Sequence, residues 1–236
     1  MCTVVIRVPD DDVTPCYVLA VRDEDPDRPW RRLGQWWADH PSVVGVQDQL
    51  AGGAWLAADP ASGRLAVLLN RLGTPDLPGE LITSRGGLVL NSVTGRELPD
   101  PITTLGFNLV EVAGRDARVT MWDGHSLRSV HLPPGTHMIA HDDVNDQATA
   151  RVRAWRDAFA AAPTDGEPWW EAWLDVLERT TDTPPTDDTA IIRDNRTHGF
   201  PTLSLLVSVA SVREQDVWVR DAELRRPGIW NPLTFV

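Results

Sequence analysis

Apolar residues in this 236-residue chain come in short runs, dense in valine and leucine and closed by aspartate, glycine or proline. Thr3 to Val8 and Cys16 to Val21 are two such runs. Asp10-Asp11-Asp12 and Pro15 between them form a polar turn, so the pair predicts a hairpin. Ala54 to Ala58 and Arg64 to Asn70 form a second pair around the turn Asp59-Pro60-Ala61-Ser62-Gly63. Gly106 to Val112, Arg118 to Trp122 and Leu127 to Leu132 follow as three more strands, separated by Ala113-Gly114-Arg115-Asp116 and Asp123-Gly124. Asp25 to Asp39, with two prolines and three tryptophans, reads as irregular. The period then changes. In Asp146 to Ala161, residues Ala148, Val152, Trp155 and Phe159 share one helical face, with Asn145 or Asp146 placed to cap it. Trp170, Trp173, Leu174 and Leu177 line a second helix over Pro168 to Arg179, and Gly87 to Val93 is a shorter helical candidate. Leu203 to Ala210 and Val217 to Arg220 are final strands. Strands, then helices, then strands predict one α+β domain over residues 1–236, with helices covering a largely antiparallel sheet.

Charge and composition narrow the function. Acidic residues number 34 against 22 basic ones, a net charge of −12, which speaks against a nucleic-acid partner. No run approaches the ~20 apolar residues of a membrane span. The short apolar stretch after Met1, followed by acids, does not read as a signal peptide. Two cysteines cannot build a disulfide framework, so a cytoplasmic setting is expected. All 22 basic residues are arginine, which removes Schiff-base and P-loop lysine chemistry. His137 and His141 are spaced i, i+4 but in a strand-like segment; no metal-site pattern is present, and neither metal nor cofactor is expected.

Cys2 is the position with chemical reach. Removal of Met1, which a small second residue favours, exposes a thiol on the residue that bears a free α-amine. That amine has an ordinary pKa of roughly 7.7–8.0, so it can serve as a base at neutral pH. Nucleophile and base then share one residue. With no lysine present, this α-amine would be the only amine on the chain. Cys16, inside a strand, reads as a small core residue.

Ordered motifs extend this. Met1-Cys2 is followed by Arg22-Asp23-Glu24, Gly45 with Asp48, Gly52-Gly53-Ala54-Trp55-Leu56, Asn70, Ser84-Arg85-Gly86 and Gly106-Phe107-Asn108-Leu109. In order and spacing the chain resembles the NRDE family, also called the transport and Golgi organisation family. The resemblance implies an N-terminal-nucleophile hydrolase-like fold, a four-layer αββα sandwich of two stacked antiparallel sheets. It also implies a site of Cys2, Arg22, Asp23, Asn70 and Arg213. Arg22 would favour the thiolate, Asp23 would orient the α-ammonium, and Asn70 would donate to a developing oxyanion. Val21 stands where the family has asparagine, Ala140-His141 where it has Ser-Asn, and Ser211-Val212-Arg213 where it has Gly-Thr-Arg.

Two functions are then expected from different classes. One is hydrolysis of a non-peptide amide of a small molecule by Cys2. The other is haem or lipid binding and trafficking on the same scaffold, with Trp30, Trp36 and Trp37 as a candidate rim for a flat ligand.

Overall fold

The computed structural model describes residues 2–236. Its first hairpin is β1 (Thr3–Val8) and β2 (Cys16–Glu24), paired with Thr3 opposite Val21. Asp11 closes the turn by accepting the Val13 and Thr14 amide N–H groups at 2.7 and 2.6 Å. Then come β3 (Trp30–Gly34), β4 (Val44–Asp48), β5 (Ala54–Asp59), β6 (Arg64–Asn70), α1 (Gly86–Val93), β7 (Phe107–Ala113), β8 (Asp116–Trp122) and β9 (Leu127–His131). The chain closes with β10 (Gly135–Ile139), α2 (Ala150–Ala161), α3 (Glu171–Arg179), β11 (Leu203–Arg213) and β12 (Asp216–Glu223).

The strands form two antiparallel sheets, β10-β1-β2-β11-β12 and β3-β4-β5-β6-β7-β8-β9. Their inner faces meet: Val4, Ile6, Val18 and Ala20 from one pack with Leu56, Val67, Val110 and Val119 from the other. α1 lies on the outer face of the larger sheet through Leu88, Val89 and Val93. α2 and α3 lie on the outer face of the smaller one, where Val152, Phe159, Trp173 and Leu177 meet Val5, Leu19, Val207 and Val209. Sheets covered on both sides need apolar residues at successive positions, which is why β1, β2, β5 and β6 read as unbroken runs rather than alternating ones. The four layers are those implied by the family resemblance. Among the described residues no helix is long and apolar enough to cross a membrane.

The structure corrects two details and bears out a third. Trp30–Gly34 is a strand, not irregular chain, because it pairs with β4 at the sheet edge. The helix expected from Asp146 starts at Ala150; Asp146 instead holds a turn, its carboxylate accepting the Ala148 N–H at 2.8 Å. The short helix expected over Gly87 to Val93 is α1, and Gly86 opens it because a side chain there would run into the backbone of Gly53 and Ala54.

The sheets are tied together near one end. Asn108, fully buried on β7, donates through Nδ2 to the Ala140 and Asp142 carbonyls at 3.0 and 2.8 Å, just beyond β10. Both carbonyls lose water on burial, so the bonds are costly to break.

Candidate active site

The register of β1 on β2 sets Cys2 beside Asp23. The Asp23 amide N–H donates to Cys2 Sγ at 3.4 Å, and the Cys2 thiol reaches the Asp23 carbonyl at 3.6 Å. Cys2 is 4% exposed and belongs to the core between the sheets. Cys16 lies in the same core further along, where burial, aided by Asp116, pushes its thiol up to about 12.

Alternation along β2 sends Arg22 and Asp23 to opposite faces. Arg22 enters the gap between the sheets. Its guanidinium carbon lies 4.4 Å from the Trp55 ring centroid, it pairs with Glu24 at 2.6 Å, and it donates to the Leu68 carbonyl at 3.2 Å. Burial works against its charge, but Cys2, Glu24 and Asp23 outweigh burial and hold its pKa above the ordinary arginine value.

Asp23 points to the helix side. Its carboxylate accepts the Ser204 hydroxyl at 2.6 Å and the Asn195 amide at 3.1 Å. Asn195 in turn accepts from Arg193 Nε at 3.0 Å. Arg151 of α2 is buried on the same side and donates to His141 Nδ1 at 3.0 Å. Burial and the nearby Arg193 push Arg151 down to about 10. Burial first, then Arg151, pushes His141 down to about 4. Ser204, Asn195, Arg193 and Arg151 carry no motif in the sequence; Asn195 and Ser204 meet Asp23 from 172 and 181 residues away along the chain.

Most of the motif residues converge on this end of the sandwich. Asp48 accepts Trp55 Nε1–H at 3.3 Å, pairs with Arg28 at 2.7 Å, and closes its turn through the Leu50 and Ala51 amides. Burial opposes the charge of Asp48, yet the Arg28 and amide bonds keep its carboxyl below the usual carboxylate range. Trp55 is thereby fixed as the plate under Arg22. A Cβ at Gly53 would lie 2.4 Å from the Gly86 carbonyl carbon, so the β4–β5 turn and the start of α1 touch backbone to backbone.

Two adjoining spaces open here. A gap of about 20 Å³ is lined by Cys2, Val4, Ala20, Val46, Leu56 and Val67. A cavity of about 170 Å³ is lined by Glu24, Arg28, Asp48, Asn70, Ser84 and Arg85. Arg22, Trp55 and Leu68 wall both.

The structure therefore gathers Cys2, Arg22 and Asp23, and sets Asn70 at the end of β6 in the cavity that Arg22 shares. It does not bring Arg213 to them. On β11 Ser204 faces Asp23 and Leu206 faces Arg22, whereas Arg213 pairs with Asp216 at the far hairpin, roughly 20 Å along the strand. There Arg213 lines a surface groove with Tyr17, Trp169 and Trp218. The departures at Val21 and His141 both lie on the helix side: Val21 is in the core under α2 and α3, and His141 faces Arg151. Val21 also lines the gap that holds the Cys2 thiol, whereas His141 does not. Of the three irregular tryptophans, Trp30 backs Trp55 at 5.7 Å and Trp37 donates to the Gly52 carbonyl at 2.8 Å. Trp36 is 37% exposed beside Arg31. None of the three lines either space. Among the described residues no trio of His, Cys, Asp or Glu is grouped to hold a metal ion.

The family whose model matches the chain, over residues 1–204, is described as Transport and Golgi organisation 2. No curated protein matches. Among solved structures the chain is similar to the Caenorhabditis elegans N-acylethanolamine-hydrolyzing acid amidase ortholog, at 10% identity and a TM-score of 0.47 over 93% of this chain and 99% of that one. So distant a likeness carries no argument about chemistry.

Proposed function

This chain belongs to the Transport and Golgi organisation 2 family, and we propose that it is a hydrolase of a non-peptide amide with Cys2 as an N-terminal nucleophile. The observation that supports this best is the pairing of Cys2 with a buried arginine. A free thiol sits at the head of β1, and the Arg22 guanidinium, locked between Trp55 and Glu24, lines the same gap, where its positive charge would favour the thiolate. A core cysteine needs no such neighbour, and Cys16 has none.

In the proposed reaction Met1 is first removed. The Cys2 α-amine takes the thiol proton, and the thiolate attacks the amide carbon. Arg22 stabilises the thiolate. Asp23, held by Ser204 and Asn195, orients the α-ammonium. Asn70 donates to the oxyanion of the tetrahedral intermediate; one such donor is worth about 2.7–4 kcal/mol in a protease. The α-ammonium protonates the departing amine as the C–N bond breaks, leaving a thioester. Water, its proton drawn by the α-amine, then releases the acid and restores the thiol. Arg213 has no part in this scheme. A haem or lipid ligand has no matching space at the Cys2 end, where the two spaces measure about 20 and 170 Å³ against the ~300–1,000 Å³ of pockets for drug-sized ligands; the groove of about 650 Å³ beside Trp169, Trp170 and Trp218 lies at the Arg213 end, away from the thiol.

Two measurements on the native-host protein test the proposal. Intact mass reports whether Met1 is gone, and quantitative retention would end the α-amine mechanism. An acyl electrophile such as a β-lactone should add one acyl group, mapped to Cys2 and absent in Cys2→Ala. Equal labelling of both proteins refutes the assignment.

A further inference from the structure

The cavity of about 170 Å³ next to Cys2 is unusual for its charge. In a chain with a net charge of −12 it gathers three arginines, Arg22, Arg28 and Arg85, against two carboxylates, Glu24 and Asp48. The carboxylates are already committed: Glu24 to Arg22 at 2.6 Å and Asp48 to Arg28 at 2.7 Å. Arg85 is the cation left over. Its Nη1 donates to the Gly106 carbonyl at 2.9 Å, and among the described residues no carboxylate comes within ion-pair distance of it. Burial, and after it the positive charge of Arg22, lower the Arg85 pKa, and Glu24 and Cys2 offset this only in part. Asn70 and Ser84 add neutral polar groups to the same wall. The Ser84 oxygen accepts the Gly86 N–H at 3.2 Å, which leaves its hydroxyl hydrogen available to a ligand.

A partly buried cation with no carboxylate paired to it is costly to hold charged. An anion entering the cavity would supply the counter-charge, and Arg85 offers it the forked donors that suit a carboxylate or phosphate. Arg22, Trp55 and Leu68 line both this cavity and the Cys2 gap, and Cys2 is among the groups acting on Arg85, so an anion on Arg85 would belong to a molecule held beside the Cys2 end of β1.

We propose that Arg85 binds an anionic group on the amine side of the substrate, so that the enzyme's amides are acidic ones such as N-acyl amino acids. This rests on the hydrolase reading for its description of the ligand as substrate, but the binding itself does not need turnover.

The test is therefore run on the Cys2→Ala chain by titration calorimetry with three probes: N-butanoylglycine, its neutral amide N-butanoylglycinamide, and N-butanoyl-O-phosphoethanolamine. N-butanoylglycine should bind about 10- to 100-fold more tightly than the glycinamide, the effect of one charge-assisted contact. Adding Arg85→Gln should remove that difference, and Arg85→Lys should restore part of it. Preference for the phosphorylated probe over both others, lost in Arg85→Gln, supports the same anion site with phosphate as its ligand. Equal binding of charged and neutral probes, binding of none, or a preference that survives Arg85→Gln overturns the proposal. If Arg85→Gln does not fold, the probe selectivity of the Cys2→Ala chain alone decides. Anion selectivity with no glycine release by the wild-type chain would sink the hydrolase reading and leave the binding site standing.

Discussion

His141 should make the protein acid-sensitive in a narrow window, and His141→Asn should remove that sensitivity. The ring lies 24% exposed beside Arg151, and burial together with that cation lowers it to about 4 from an ordinary 6.5. Asp142 acts the other way, and Arg193 reinforces the lowering. As pH falls from 6.5 towards 4, the unfolded chain takes up the proton and the folded chain does not. Stability therefore rises with pH across this window, is lost as pH falls through it, and is unaffected by His141 above it. The gap is worth about 3 kcal/mol at ~1.4 kcal/mol per tenfold; screening by the solvent that reaches the ring brings this to about 2 kcal/mol. Against a domain stability of ~5–15 kcal/mol that is a large share. Asparagine can still accept from Arg151, so the variant keeps the local bond and loses only the titration. The assay is urea unfolding of both proteins at pH 7.5, 6.5, 5.5 and 4.5. Groups remote from position 141 titrate alike in both, so the difference between the two curves reports His141 together with its neighbour Asp142. The wild type should lose about 2 kcal/mol more than the variant between the ends of that series. Parallel curves would refute the reasoning.

Other substitutions probe the frame and the thiol. Gly53→Ala forces a methyl against Gly86 and should cost about 2 kcal/mol, seen as a Tm lower by about 4–8 °C; an unchanged Tm would mean the two turns can part. Asn108→Ala strips the donors from the Ala140 and Asp142 carbonyls and should cost about 2–4 kcal/mol in chemical denaturation, with less than 1 kcal/mol arguing that water replaces the amide. Arg22→Met should slow alkylation of Cys2 by iodoacetamide about tenfold or more, with Cys16 as the internal control; an unchanged rate would show that the guanidinium charge does not reach the thiol.

How much of this was legible in the sequence differs between fold and site. Strands that are buried on both faces, such as β1 and β6, announce themselves as unbroken apolar runs. β3 did not, because at an edge its two arginines, Arg31 exposed and Arg32 paired to Asp221, hide a strand whose definition comes from pairing with β4. Cys2, Arg22 and Asp23 are grouped by the family motifs, and the structure brings them together because they lie at neighbouring positions of one hairpin. Asn195 and Ser204 could not be so grouped, since they reach Asp23 only once β11 has docked on β2. Arg213 is implied by the same motifs, but it lies seven residues along β11 from the partner of Arg22, at the far hairpin. The motif glycines were visible, but their purpose was not: the meeting of Gly53 with Gly86 is a property of two segments packed in three dimensions.

That glycine contact has a consequence for how such a site can change. The wall of the charged cavity is placed by main chain against main chain, while its chemistry is carried by the neighbouring side chains Thr83, Ser84 and Arg85. Frame and lining are thus separate variables. Ligand preference can be rewritten one residue at a time at those three positions without disturbing the plate on which Arg22 rests, whereas the two glycines can change only by moving the whole turn.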